Sequence, residues 1–224
     1  MNILSAAKDL SRSALVRHLA VYLVADPDQT QRNLIADVEA ALDGGVTCVQ
    51  LRAKPLTDRE ALQLAWELAR RCERTGALFV VNDRLDLALA AGASGVHLGV
   101  DDLPLRDARR LAGAGFVIGY SPETDEETLA ARANGADYLG IGPVFGTLSK
   151  SDAGEAIGLD TIRRRAHLAG IPVIGIGGIT AETAPAVIEA GAVGVAVVGA
   201  ILRASDPRRA AEELSDAVSG TLGA

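Results

Sequence analysis

Gln50, Arg52 and Lys54 stand at alternate positions of one segment. On an extended chain, alternation turns all three side chains to the same side. A guanidinium fork and an ammonium point charge grouped in this way suit a phosphate, although the pattern alone is also that of a solvated strand end. Asn82-Asp83-Arg84 follows the apolar run Leu78–Val81, and Asp101-Asp102 follows Gly95–Val100. Carboxylates brought to one rim by neighbouring strands suit a hard cation such as Mg²⁺, which takes few protein oxygens and fills its shell with water and substrate phosphates. Taken singly, each aspartate reads as a helix N-cap, and Asp101 is assigned that role. Ser121 offers a hydroxyl to a ligand or a cap to the acidic helix behind it.

Thr147, Ser149 and Lys150 add two hydroxyls and a cation in a long loop, 146–158, of the kind that often forms a lid. Two further segments, Gly175–Thr180 and Val198-Gly199-Ala200, are glycine-bearing strand ends whose backbone N–H groups can approach a phosphate closely. The sequence therefore predicts two anion sites, one cationic and metal-supported, the other built from backbone. Two phosphorylated groups in one site imply a two-substrate reaction. His97 lies within an apolar strand and is read as a satisfied structural residue, while His18 and His167 fall on helices as surface or packing residues.

The elements that must hold these groups repeat along the chain. Short runs rich in Val and Ile, apolar at successive positions, predict strands at Val21–Asp26, Thr47–Arg52, Ala77–Asp83, Gly95–Gly99, Phe116–Ser121, Tyr138–Pro143, Pro172–Gly178 and Gly194–Ala200. Such runs mark strands buried on both faces, as in a parallel sheet. Helical periodicity separates them, for example at Gln31–Leu42, Asp58–Arg74, Glu123–Asn134, Ala181–Glu189 and Pro207–Val218. Thr57 with Glu60 predicts a capping box, and Thr180 is placed at the start of the helix that Gly191 closes. Eight strand–helix units in 224 residues predict a (β/α)8 TIM barrel. An open doubly wound sheet is the competing fold, but no dinucleotide fingerprint follows the first strand. Residues 1–224 read as one domain, with 1–20 an extra N-terminal helix closing the barrel bottom.

Composition narrows the partners. The formal charge is 22 − 29 = −7 and aromatics make up 3%, which argues against a phosphate-backbone footprint or base stacking on nucleic acid. An apolar content of 49% excludes disorder. No basic start precedes an apolar stretch, and the longest apolar run, Gly191–Leu202, is far short of the about 20 residues a spanning helix needs. No membrane partner is expected. Cys48 and Cys72 are expected to be buried or half-buried free thiols in a cytoplasmic protein.

Read in order, QLRAK, VNDR, GVHLG..D, ADYLGIGPVF.T.SK, PVIGIGGI and GVAVV.AI resemble the thiamine phosphate synthases, from Tyr22 to Ile201. The resemblance implies a barrel enzyme joining 4-amino-5-hydroxymethyl-2-methylpyrimidine diphosphate to a thiazole phosphate. It implies that Gln50, Arg52, Lys54, Asn82, Ser121 and Lys150 meet the pyrimidine diphosphate. Asp83 and Asp102 would hold Mg²⁺. Thr147 and Ser149 would lie beside the thiazole, with Gly178, Val198 and Gly199 at its phosphate. The sequence is compatible with a homo-oligomer.

The chain departs from the family pattern at Val100 (usually Gln), at Glu123 (often His), at Gly199 (often Ser) and at Gly146 (Pro or Ala). Two competing readings follow. One is a thiazole tautomerase-like isomerase, which uses a histidine where Pro122-Glu123 stand. The other is a non-catalytic phosphometabolite-binding barrel.

Overall fold

Strands β1 (Val21–Ala25), β2 (Cys48–Leu51), β3 (Leu78–Asn82), β4 (Gly95–Leu98), β5 (Val117–Tyr120), β6 (Tyr138–Ile141), β7 (Val173–Ile176) and β8 (Gly194–Val197) all run parallel. Strand β8 pairs with β1, so the sheet closes into a (β/α)8 barrel. The structure, a computed structural model, describes residues 10–146 and 154–223. Around the barrel lie α2 (Leu34–Asp43), α3 (Asp58–Thr75), α4 (Leu85–Ala91), α5 (Leu105–Ala112), α6 (Asp125–Asn134), α7 (Gly158–Ala169), α8 (Ala184–Glu189), the short α9 (Gly199–Leu202) and α10 (Pro207–Leu222).

Alternation along each strand sorts the core into two layers. Val21, Leu23, Val49, Leu51, Phe79, Val81, Val96 and Leu139 face the helices, where Ala41, Ala65, Ala88 and Ala211 let the helices approach closely. Tyr22, Val24, Cys48, Leu78, Val80, Val117, Tyr138, Ile174 and Ala196 fill the interior. The expected N-terminal helix is described as α1, Arg12–His18, and residues 1–9 of that expectation lie outside the described residues. Leu15 and Leu19 of this segment join the interior cluster and close it from below.

Three local expectations change. The helix expected from Ala181 begins at Ala184, while Thr183 N–H and Thr183 Oγ engage Thr180 in a turn. The cause is Pro185, which a helix tolerates only in its first turn because it lacks an N–H. Asp101 caps no helix: α5 starts after Pro104, which disfavours helical backbone in the residue before it. The helix expected from Gln31 begins at Leu34, where Asn33 Oδ1 accepts from the N–H groups of Ile35 and Ala36 at 2.9 and 3.2 Å. The capping box of Thr57 and Glu60 is present, and α6 carries a second one from Thr124 and Glu127.

A polar chain crosses the apolar interior. Gln50 Nε2 donates to Tyr22 Oη at 2.8 Å, and the Tyr22 and Tyr138 hydroxyls are 2.8 Å apart. His97 Nδ1 lies 3.0 Å from Tyr138 Oη, and His97 Nε2 lies 2.8 Å from Ser121 Oγ. Buried polar groups persist only when bonded in this way. The chain also explains two glycines within strands. A methyl at Gly119 would run into Tyr138 and His97, and one at Gly140 would crowd His97 and Ser121.

Two stability tests follow. A methyl at Gly194 would collide with the Leu19 backbone, whereas Gly220 in α10 has open space. Gly194→Ala should destabilise by about 1–3 kcal/mol and Gly220→Ala should stabilise by up to about 1 kcal/mol, read from urea unfolding. Burial lowers the His97 pKa from 6.5 to about 4, with Asp102 opposing. The unfolded chain therefore binds a proton that the folded chain refuses between these values. The stabilisation is complete above about pH 6.5 and drains as pH falls toward 4, by an amount on the order of 3 kcal/mol. His97→Gln should flatten the pH dependence of the urea midpoint in that window; an unchanged slope would refute it.

Candidate active site

A cavity of about 780 Å³ opens where the strands end at their C-terminal side. It is lined by Gln50, Arg52 and Lys54 from β2 and its extension, Asn82 and Asp83 after β3, Asp102 after β4, Ser121 after β5, and Gly178, Val198 and Gly199 after β7 and β8. Every described residue that the sequence assigns to the substrate or metal sites thus lines one cavity. Thr147, Ser149 and Lys150 lie outside the described residues.

The cationic side is organised by a residue that the sequence reading missed. Asp26 ends β1, is 1% exposed, and accepts from Arg52 Nη1 at 2.6 Å through Oδ2. Its Oδ1 accepts from the Asp28 N–H at 3.0 Å. A buried carboxylate with these partners holds the guanidinium in one orientation, leaving its remaining N–H donors for the cavity. Alternation from Tyr22 through Val24 to Asp26 was the available signal. Lys54 is exposed at the rim, with Nζ 3.7 Å from Asp83 Oδ2.

Asp83 has φ 63°, the left-handed region that few residues other than glycine adopt. Its N–H donates to the His97 carbonyl at 2.8 Å, and the next N–H, of Arg84, returns to the Asn82 carbonyl at 2.7 Å. This tight turn lifts the carboxylate into the cavity mouth. Asp102 is fixed by a second turn, with Oδ2 accepting from the Gly99 N–H at 2.7 Å. Burial, the charge of Asp102 and a hydrogen bond with it push the Asp83 carboxyl pKa up, while Lys54 and Arg52 pull it down. Two close carboxylates, one of which raises the pKa of the other, form a donor set suited to a hard cation. Among the described residues no group of three or more His, Cys, Asp or Glu could hold a metal ion.

Ser121 does not cap α6, because Thr124 does; its hydroxyl meets His97 at the cavity floor. The loop beyond it is clamped from α7 by Arg165, whose Nη1 donates to the Pro122 carbonyl at 3.0 Å and whose Nη2 donates to that of Glu123. The Glu123 side chain stays exposed at the rim, as does Val100. On the opposite side Gly177 and Gly178, at φ 97° and 65°, pack against the segment Pro143–Gly146. A methyl at either would strike that segment, so only glycine fits the turn. Val198 precedes α9 with no side-chain cap, so backbone amides line this wall together with Thr180 and Arg203.

The comparisons with known proteins point one way. The sequence profile of the family described as Thiamine monophosphate synthase matches residues 21–201. A thiamine biosynthesis bifunctional protein of Symbiobacterium thermophilum is 51% identical over 83% of this chain, and a thiamine-phosphate synthase of a Synechococcus species is 45% identical over 96%. The chain spans only 39% and 62% of those two proteins. A solved thiamine phosphate pyrophosphorylase from Pyrococcus furiosus superposes with TM-score 0.86 at 38% identity, covering 93% of this chain and 100% of that one. The chain belongs to the thiamine monophosphate synthase family.

Proposed function

We propose that the protein makes thiamine phosphate by joining 4-amino-5-hydroxymethyl-2-methylpyrimidine diphosphate to a thiazole phosphate, with release of diphosphate. The observation that carries this reading is the two-walled cavity. Arg52, Lys54 and the Asp83–Asp102 pair face one side, and the glycine-built backbone of Gly177, Gly178, Val198 and Gly199 forms the other. Two walls of this kind suit two phosphorylated substrates held at once.

In this reading Gln50, Asn82 and Ser121 hold the pyrimidine, and Arg52, Lys54 and Lys150 take its diphosphate. Thr147 and Ser149 lie beside the thiazole, while Gly178, Val198 and Gly199 bind its phosphate through N–H groups. Asp83 and Asp102 would hold Mg²⁺, which when bound neutralises charge on a leaving diphosphate. As the bond to diphosphate lengthens, Arg52 and Lys54 meet the negative charge that develops. The electron-rich aminopyrimidine spreads the positive charge left on its methylene carbon, and the thiazole nitrogen takes the vacated position. No protein nucleophile is needed, so positioning and charge stabilisation supply most of the acceleration. We assign the protein to the cytoplasm, where substrates this highly charged are retained, and leave open assembly into a homo-oligomer.

Both substrates incubated with Mg²⁺ should release diphosphate in step with thiamine phosphate. Absence of turnover combined with tight thiazole-phosphate binding would sink the proposal in favour of a binding protein. Asp83→Ala and Lys150→Ala should each lower kcat by about 10²–10³-fold or more with the melting curve retained. Activity unchanged after chelation of Mg²⁺ would refute the metal role.

A further inference from the structure

We infer that helix α7 is a strut holding the pyrimidine side of the cavity and its glycine wall at one separation, and that Arg165 is the positioning residue through which it does so. The inference rests on the two-substrate reading above and adds to it a residue that serves both substrates without binding either.

A charge interrupts the buried face of α7. Its buried residues are Ile162, Arg165 and Ala169, at the spacings of three and four that put side chains on one helix face. Arg163 and Arg164 precede it with side chains 62% and 56% exposed, whereas that of Arg165 is 10% exposed. A guanidinium leaves water only where other acceptors replace what it loses. Here Nη1 and Nη2 donate to the Pro122 and Glu123 carbonyls, and Nε donates to Asp125 Oδ1 at 3.2 Å. All of these acceptors belong to the segment that leaves β5 directly after Ser121. Arg164 holds the second oxygen of Asp125, Oδ2, at 3.1 Å.

The start of the same helix is tied to the other side. The N–H groups of Ile157 and Gly158 donate to the Pro143 and Val144 carbonyls at 2.8 and 3.1 Å. The N–H groups of Val144 and Phe145 donate in turn to the Ile176 and Gly177 carbonyls at 2.8 and 3.0 Å, which seats this segment against the glycine turn. Gly158 and Arg165 are seven residues apart, a hydrogen-bonded rod of about 10 Å.

The barrel fixes the strand ends, and α7 fixes the segments that continue beyond β5 and β6. Their separation matters because the thiazole nitrogen must meet the methylene carbon of the pyrimidine, and a displacement of about 1 Å can cost about 100-fold in rate. Thiamine phosphate joins the two halves through that same methylene. It fills both sides only when they stand at the right separation, whereas each half alone is indifferent to it. Arg165 also reaches the edge of the cavity, so direct contact with a substrate is the alternative that the experiment must separate.

Calorimetry with three ligands reads the separation without turnover: thiamine phosphate, thiazole phosphate and 4-amino-5-hydroxymethyl-2-methylpyrimidine. Thiamine phosphate should bind the wild type at least about tenfold more tightly than either half does. Arg165→Met should reduce that advantage to about threefold or less, while each half keeps its own Kd within about threefold. In the assay of diphosphate release, kcat should fall about 10–100-fold with both KM values held within about threefold. An undiminished advantage for thiamine phosphate would overturn the inference. So would a loss of affinity for one half alone, which would make Arg165 a ligand of that half. Arg165→Lys reaches one carbonyl at a time and should fall between the wild type and Arg165→Met; it carries the test if Arg165→Met does not fold. A wild type that binds neither half overturns the proposed reaction and this inference together. One that binds both halves, with an advantage that Arg165→Met leaves intact, overturns the inference alone.

Discussion

The inside of an eight-stranded barrel is just wide enough to be filled by side chains, and what fills it decides everything above it. Here the lower part is closed by Leu15 and Leu19, and the middle is occupied by Tyr22, Tyr138 and His97. These large groups demand glycine at 119 and 140 on the neighbouring strands. They also demand that every hydroxyl and ring nitrogen find a partner, which draws Gln50 and Ser121 into fixed positions. The floor of the cavity is therefore the top of the core. Packing and recognition meet in the same five side chains.

Above that floor the problem changes from filling space to placing charge. A chain of net charge −7 must receive anionic ligands, and it does so by separating exterior from interior. The acids of α3, α6 and α10 sit on outer faces among arginines, as in the pairs Arg71–Glu67, Arg164–Asp125 and Arg208–Glu212. Such exposed pairs contribute little stability. Inside the mouth, Asp26 holds Arg52 in place, and the two carboxylates of Asp83 and Asp102 face each other. The backbone pays part of this cost through the left-handed conformation of Asp83.

The strands were legible because burial on both faces leaves uninterrupted Val and Ile runs, and the order of the mouth residues followed from where those runs stop. Pro104 and Pro185 moved two helix starts, since a ring within a periodic pattern outweighs the capping preference of Asp101 and Thr180. The interior chain was not legible. Its links join residues 28, 41, 24 and 116 positions apart, and no local spacing reports such contacts. His97 could be read as a satisfied histidine, but its partners could not. Asp26 was within reach of the same alternation that singled out Arg52, yet a lone carboxylate at a strand end resembles any turn.

The two cysteines occupy different layers of the core. Cys48 lies inside the barrel beside Tyr22, and Cys72 lies on α3 against the outer face of the sheet. Both are buried, and burial raises both thiol pKa values, that of Cys72 to about 12. Reactivity belongs to the thiolate, so neither sulfur reacts while its layer stays closed. Each is thus a built-in reporter of a different opening event. Modification of Cys72 alone records the peeling of α3 from the sheet, whereas modification of Cys48 requires the ring of strands itself to part.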